Sequence, residues 1–200
     1  LGKEQEKVYA PWISAVAKIR PLLLDGKCAR TADLTDEEKA AVYDMFLLTM
    51  KPTLYVANVD EDTIADGTNK YVEIVKKYAD EEKSEVVVIC GKFEADLAEI
   101  DDPADRKDFM ESVGLKESGL AVLARKAYHL MGLRTFFTGG PDECRAWTIH
   151  NGDKAPRAAG VIHTDFEKGF IKAEAYTIDD LRQYKDEASI KAAGKYRQEG

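Results

Sequence analysis

Cysteine is scarce in this sequence, and what there is lies far apart. Cys28, Cys90 and Cys144 are the three in 200 residues. An odd number with no C-x-x-C pair excludes a disulfide framework and gives no Cys-based zinc site. It fits a reducing cytoplasm, where buried free thiols behave as small hydrophobes. Long apolar runs are also missing. The longest aliphatic stretch is Val86-Val87-Val88-Ile89, against the roughly 20 residues a membrane helix needs, so no membrane role is expected. Leu1 to Lys7 contains neither an initiator methionine nor an apolar core. It does not read as a secretory signal, and the chain is expected to be a fragment. Internal repeats and low-complexity segments are absent. With 44% hydrophobic and 33% charged residues, the chain reads as soluble and globular, with room for one or two domains.

The net charge of −8 is uneven. From Arg134 onward, 11 Lys or Arg balance 11 Asp or Glu, whereas residues 1–133 hold 18 against 26. The acidic first part repels phosphate backbones, so a nucleic-acid contact is expected only in the neutral second part, and none with DNA.

Residues 4–24 place Val8, Trp12, Val16, Ile19 and Leu23 on one helical stripe. Pro11 and Pro21 interrupt it, which predicts a helix that bends or begins near Pro11. Such a stripe suits either one arm of a helical hairpin or an N-terminal helix docked on the core. Thr35-Asp36-Glu37-Glu38 is a capping-box pattern opening a short helix to about Leu47. The period then changes. Thr53–Ala57 and Glu85–Cys90 read as buried parallel strands, and Tyr71, Ile74, Val75 and Tyr78 form a helical stripe between them, giving a βαβ unit. Helices are expected near Pro103–Val113 and Glu117–Met131, closed by Gly114 and Gly132. From Arg134 the texture is α+β: a hairpin of Thr135–Thr138 and Arg145–His150 around Gly139-Gly140-Pro141, a strand at Phe170–Tyr176, then helices at Ile178–Tyr184 and Glu187–Ala193.

Ligands of open α/β sheets bind outside the carboxyl ends of the strands. Here those ends carry Asn58-Val59-Asp60-Glu61 and Cys90-Gly91-Lys92. Two polar loops with a glycine for close backbone approach suit one ring. Taken bare, N-x-x-E also describes an ordinary strand-end turn with solvated acids.

Longer runs carry a resemblance. Lys51-Pro52-Thr53-Leu54-Tyr55-Val56-Ala57-Asn58-Val59-Asp60-Glu61, Thr135–Thr138, Arg145–Ile149, and Ala155-Pro156 with Ala158 through Ile171 resemble the YchF / Obg-like ATPase family over nearly the whole chain, loosely in the first fifty residues. The resemblance implies a cytoplasmic, ribosome-associated P-loop ATPase of the translation-factor GTPase class (OBG-type G domain) that regulates translation, with little preference for guanine. It implies α/β plus α+β architecture. Residues 1–47 would end a helical coiled-coil insertion and 48–133 would form the last βαβ part of the nucleotide-binding domain. Residues 134–200 would form a ubiquitin-like β-grasp (TGS) domain lacking its final strands. ATP is the implied nucleotide, with Mg²⁺ held through a P-loop and K⁺ as a further candidate. The ribosome, through its large subunit or rRNA, is the implied partner.

Base choice follows from donors and acceptors. Guanine presents N1–H and N2–H₂ donors that the aspartate of N-K-x-D accepts bidentately in related GTPases, whereas adenine presents an N6–H₂ donor and an N1 acceptor. Asn58-Val59-Asp60-Glu61 has no lysine and puts a longer Glu61 where that aspartate would stand. Asn58 is expected to hold the loops and touch the base, Val59 to meet the ring, and Cys90, Gly91 and Lys92 to cover its other edge, the Lys92 stem packing on a purine face. No G-x-x-x-x-G-K-[ST] occurs. The chain therefore has no phosphate-cradling loop, no catalytic residue is expected, and it should be inactive alone.

In the second part Arg145, Lys154, Arg157, Lys168 and Lys172, with His163, are candidate ribosome or RNA contacts. Asp153, Asp165, Glu167 and Glu174 beside them equally describe a mixed solvated surface. Trp147 in an alternating strand reads as core rather than a base-stacking platform. A Cys144 thiol mechanism or a metal at His150 and His163 lacks orienting partners. Alternatives to the ATPase half are a non-catalytic ribosome-binding or RNA-binding module and a GTPase.

Overall fold

The computed structural model describes residues 3–140 and 142–199; Leu1, Gly2, Gly200 and Pro141, part of the expected hairpin turn, lie outside them. Two compact units divide at Met131 and Gly132. The first contains α1 (Lys3–Leu24), α2 (Asp36–Ala41), β1 (Leu54–Asn58), α3 (Glu61–Ile64), α4 (Lys70–Glu81), β2 (Glu85–Ile89), α5 (Gly91–Ala98), α6 (Pro103–Ser112) and α7 (Gly119–Leu130). The second contains β3 (Leu133–Gly139), β4 (Cys144–His150), α8 (Ala155–Ile162), α9 (Thr164–Lys168), β5 (Ala173–Ala175), α10 (Ile178–Tyr184), α11 (Glu187–Ala192) and β6 (Arg197–Glu199). Among the described residues no helix is long and apolar enough to cross a membrane.

Helix α1 runs continuously from Lys3 through Pro11 and Pro21, contrary to an expected start near Pro11. Proline removes one backbone donor, and packing offsets that loss: Ala15 and Ile19 are buried with Ala29, Leu34 and Val42. The expected stripe is used only in part. Val16 packs against this core, whereas Val8, Trp12 and Leu23 are exposed.

The capping box at Thr35 forms as expected, the Thr35 hydroxyl accepting from Glu38 N–H. Helix α2 nevertheless stops at Ala41 rather than near Leu47. Val42 turns into the core, Phe46 adopts a left-handed conformation (φ 47°), and 3-10 turns at Tyr43–Met45 and Leu48–Met50 replace the last helical turns. Glu38 has a second role. Its buried carboxylate accepts from Lys18 Nζ (2.8 Å) and Ser14 Oγ (2.6 Å) on α1 and from Thr35 N–H (2.8 Å). Lys18 first, then Ser14 and the Thr35 amide, hold its pKa down at about 2. A depressed carboxylate stabilises the fold fully above its ordinary value of 4.5, and that contribution is lost as pH falls toward about 2. Glu38→Gln is expected to flatten the acid limb of a pH-unfolding curve followed by circular dichroism between those values. An acid limb identical to wild type would contradict this.

The βαβ unit is present. Strands β1 and β2 pair in parallel, from Leu54 opposite Glu85 to Asn58 opposite Ile89. Helix α4, capped by the Asn69 side chain, turns Val72 and Ala79 inward, whereas Tyr71, Ile74 and Tyr78 of the expected stripe are exposed and Val75 is half-buried. Beneath the carboxyl ends of the strands lies a second core of Ile64, Cys90, Phe93 and Leu97, with Phe93 stacked on Phe109 at 4.9 Å between ring centres. Gly114 and Gly132 adopt the positive φ (77° and 64°) expected of helix-terminating glycines.

In the second unit β3 and β4 form the expected antiparallel hairpin, Phe136 opposite Trp147. The strand expected over Phe170–Tyr176 contracts to Ala173–Ala175, which pairs antiparallel with β6, and Ile171 is left exposed. Helices α8 and α9 were not apparent in the sequence. They pack closely: a Cβ added at Gly160 would come within 2.9 Å of Glu167 Cβ. Trp147 is half-buried rather than in the core the sequence suggested, with its Nε1–H donating to Thr138 Oγ1 (2.9 Å). Of the thiols, only Cys90 matches the expectation of a buried hydrophobe. Cys28 is half-buried and donates to Glu82 Oε1 (3.1 Å), and Cys144 is exposed.

Candidate functional site

Parallel pairing brings the last residues of β1 and β2 side by side, and two hydrogen bonds fix them there. Val59 N–H donates to Ile89 O (2.8 Å), carrying the ladder one step past β1. Gly91 N–H donates to Asn58 Oδ1 (2.9 Å) across 33 positions of sequence. A peptide N–H can only donate, so the Asn58 oxygen must face it, and the Nδ2 donors point elsewhere. A Cβ on Gly91 would stand 3.4 Å from that oxygen, an ordinary contact, so the hydrogen bond itself does not require glycine.

The second loop differs from expectation. Cys90-Gly91-Lys92 is no free loop: Cys90 precedes α5 directly, Gly91 opens the helix and Lys92 lies in its first turn. Cys90 is buried (1% exposed), so it supports the site from below and offers no side-chain atom to a ligand at the surface. Val59 is half-buried against the second core, while Asn58, Glu61, Gly91 and Lys92 are exposed.

The two acids after Val59 do different work. Asp60 caps α3, accepting from Thr63 N–H (3.0 Å), and its hydrogen bonds to the Thr63 hydroxyl and amide hold its pKa below the usual carboxylate range. Glu61 reaches across to α5, where Lys92 Nζ donates to its Oε2 at 3.0 Å.

Two buried carboxylates that periodicity could not reveal tie the elements around the strands, Glu94 beneath the site and Glu82 at the opposite, amino ends of β1 and β2. Glu94, on α5, accepts from Gly119 N–H (2.6 Å) and Leu120 N–H (3.3 Å), tying the start of α7 beneath the site. Glu82, at the end of α4, accepts from Arg30 (2.6 Å), Tyr55 Oη (2.7 Å) and Cys28 Sγ. Arg30 first and Tyr55 second hold its pKa at about 2, and the same carboxylate raises Cys28. Arg30 also donates to the carbonyls of Thr49 (3.2 Å) and Lys51 (3.3 Å), just ahead of β1. The only signal in sequence was an arginine and a glutamate at opposite ends of the βαβ approach, which spacing alone does not pair.

In the second unit the candidate basic residues are all exposed but divide in two. Arg157 pairs with Glu167 (3.2 Å), and Arg145 lies over the Trp147 ring (4.2 Å) with Glu143 at 3.9 Å. Lys154 precedes α8, Lys168 ends α9 and Lys172 precedes β5, and among the described residues none of the three has an ion-pair partner. His163 caps α9 through Nδ1, and the described residues hold no group of His, Cys, Asp and Glu arranged for a metal.

The polar groups of this parallel pair converge at its carboxyl edge, the side of an open α/β sheet where ligands bind. Comparison with known proteins narrows this. Residues 133–200 match the family YchF-GTPase_C, described as a protein of unknown function (DUF933). The chain is 47% identical over 188 residues to the ribosome-binding ATPase YchF of Escherichia coli O157:H7, covering 94% of this chain and 51% of that protein. It is 42% identical over 201 residues to the Bacillus subtilis protein of the same name (100% and 55%), and 38% identical over 199 residues to Obg-like ATPase 1 of Xenopus laevis (98% and 50%). Among solved structures, the Schizosaccharomyces pombe YchF GTPase superposes with a TM-score of 0.84 at 33% identity, over 100% of this chain and 53% of that one. The chain belongs to the YchF / Obg-like ATPase family and corresponds to its C-terminal portion. It spans about half the length of the curated relatives it matches.

Proposed function

We propose that this chain supplies the base-selecting edge and a ribosome-facing domain to a cytoplasmic ATPase that acts in translation. The carrying observation is the Asn58–Gly91 bond, which closes the two strand ends into one polar edge. With Oδ1 committed, Asn58 Nδ2 has no partner among the described residues and offers donors to a purine acceptor such as N7. That atom is common to adenine and guanine, so Asn58 holds either ring. Val59 offers apolar surface beside it. In this reading residues 1–47 end the helical insertion, 48–133 belong to the nucleotide domain and 134–200 form the TGS domain.

The residues present do not suit Mg²⁺. There is no G-x-x-x-x-G-K-[ST], and the described acids form no metal-binding group. Phosphoryl transfer is therefore assigned to no residue of this chain, and K⁺ likewise to none.

The test is Asn58→Ala in the full-length protein, with ATP and GTP affinities measured by calorimetry. Loss of a hydrogen-bonded contact to the base should weaken both about tenfold, with ribosome co-sedimentation retained. Unchanged affinity for both nucleotides would sink the base-site reading. A second reading, a ribosome-binding or RNA-binding module without nucleotide chemistry, is favoured by Lys154, Lys168 and Lys172, which have no ion-pair partner among the described residues, and that outcome would leave it standing. Competition between ATP and GTP on the wild-type protein decides between ATPase and GTPase.

A further inference from the structure

We propose that Lys92 sets the purine preference of this site by holding the Glu61 carboxylate away from the base edge. The inference rests on the base-site reading above and adds the residue that discriminates within it. Asn58 and Val59 meet features that both purines share, so discrimination must come from a group that senses N1 and the 2-position. Glu61 is the carboxylate placed to do so: it follows the strand end by three residues, and Asp60 is already committed to capping α3. A free carboxylate there would accept N1–H and N2–H₂ of guanine and would face the N1 lone pair of adenine.

It is not free. Lys92 Nζ holds Oε2 at 3.0 Å across 31 positions of sequence, from the first turn of the neighbouring helix. The pairing neutralises the acid and turns it toward α5, which removes the reward for guanine and the repulsion of adenine together. Glu61 also raises the Lys92 ammonium above its ordinary range, so the lysine stays charged through neutral pH. Both side chains are largely exposed, so solvent and salt reach the pair.

Lys92→Met keeps the length of the stem and helix propensity while freeing Glu61. In the full-length protein, with ATP and GTP affinities measured by calorimetry, the ATP-to-GTP affinity ratio is expected to fall about fivefold, the scale of a charge-assisted hydrogen bond at a wet site. The Glu61→Gln/Lys92→Met double variant is expected to lose that gain for GTP. Rising salt should move the wild-type ratio the same way as Lys92→Met, because screening weakens an exposed pair. The two nucleotides carry the same phosphate charge, so that part of the salt effect cancels in the ratio. A ratio within twofold of wild type in Lys92→Met, with Asn58→Ala weakening both nucleotides, would overturn the Lys92 role alone. Unchanged affinities in Asn58→Ala would overturn both it and the base-site reading.

Discussion

Arg30→Ala is expected to destabilise the first unit by about 3–5 kcal/mol at neutral pH, the cost of leaving a buried carboxylate without its cation. Glu82 is 9% exposed and sits against Arg30 at 2.6 Å. Removing the guanidinium leaves Tyr55 Oη and Cys28 Sγ as donors, neither of which carries charge to offset Glu82. The variant also frees the carbonyls of Thr49 and Lys51. Urea unfolding of wild type and variant measures the loss. The pH dependence gives a second handle. With its pKa lowered from 4.5 to about 2 by Arg30 and Tyr55, Glu82 stabilises the native state fully above 4.5 and loses that contribution as pH falls toward about 2. The stability gap between wild type and Arg30→Ala should therefore narrow through that window. A gap that is small at pH 7, or that stays constant on acidification, would show that the ion pair does not hold these elements together.

Phe93→Ala should cost about 3–4 kcal/mol, within the range for emptying a buried aromatic site. Phe93 is 2% exposed, stacks on Phe109, and lies between Cys90 and Leu97 under the site. Truncation removes the ring that α5 and α6 share and leaves a cavity directly below Gly91 and Lys92. Phe93→Leu, which keeps most of the volume, should lose much less. Denaturant midpoints for the two variants check the ranking; equal losses, or a loss under about 1 kcal/mol for alanine, would mean that the surroundings collapse to fill the space.

Elements with a local signature were legible in the sequence. The Thr35–Glu38 capping box, the continuous apolar run of β2 and the β3–β4 hairpin each announce themselves within ten or so residues, and the structure has them; α4 forms where its stripe predicts a helix, but the face it buries is Val72 and Ala79 rather than the stripe itself. Helices α8 and α9 were opaque because Pro156 and Gly160 look like helix breakers. In the structure Pro156 occupies a first-turn position where its missing N–H costs nothing, and Gly160 sits where α9 approaches too closely for a side chain. The early end of α2 was hidden for a different reason: Val42 serves a core shared with Ala15 and Ile19 of α1, which no short window contains. The site divides the same way. The approach of Asn58 to Gly91 follows from parallel strands ending together, whereas the Glu61–Lys92 and Arg30–Glu82 pairs depend on side chains crossing 31 and 52 positions.

Strand β1 is fastened at both ends, and this constrains more than position. Arg30 grips the Lys51 carbonyl ahead of it, and Gly91 grips the Asn58 side chain at its finish. Slipping by one residue against β2 would reverse the face of every side chain from Leu54 to Asn58, and with Val56 substantially exposed, burial alone penalises such a slip weakly. The two fastenings act as a ratchet pawl at each end of a five-residue rod: β1 can tilt with its surroundings but cannot change its phase, so the amide of Val59 always arrives opposite Ile89.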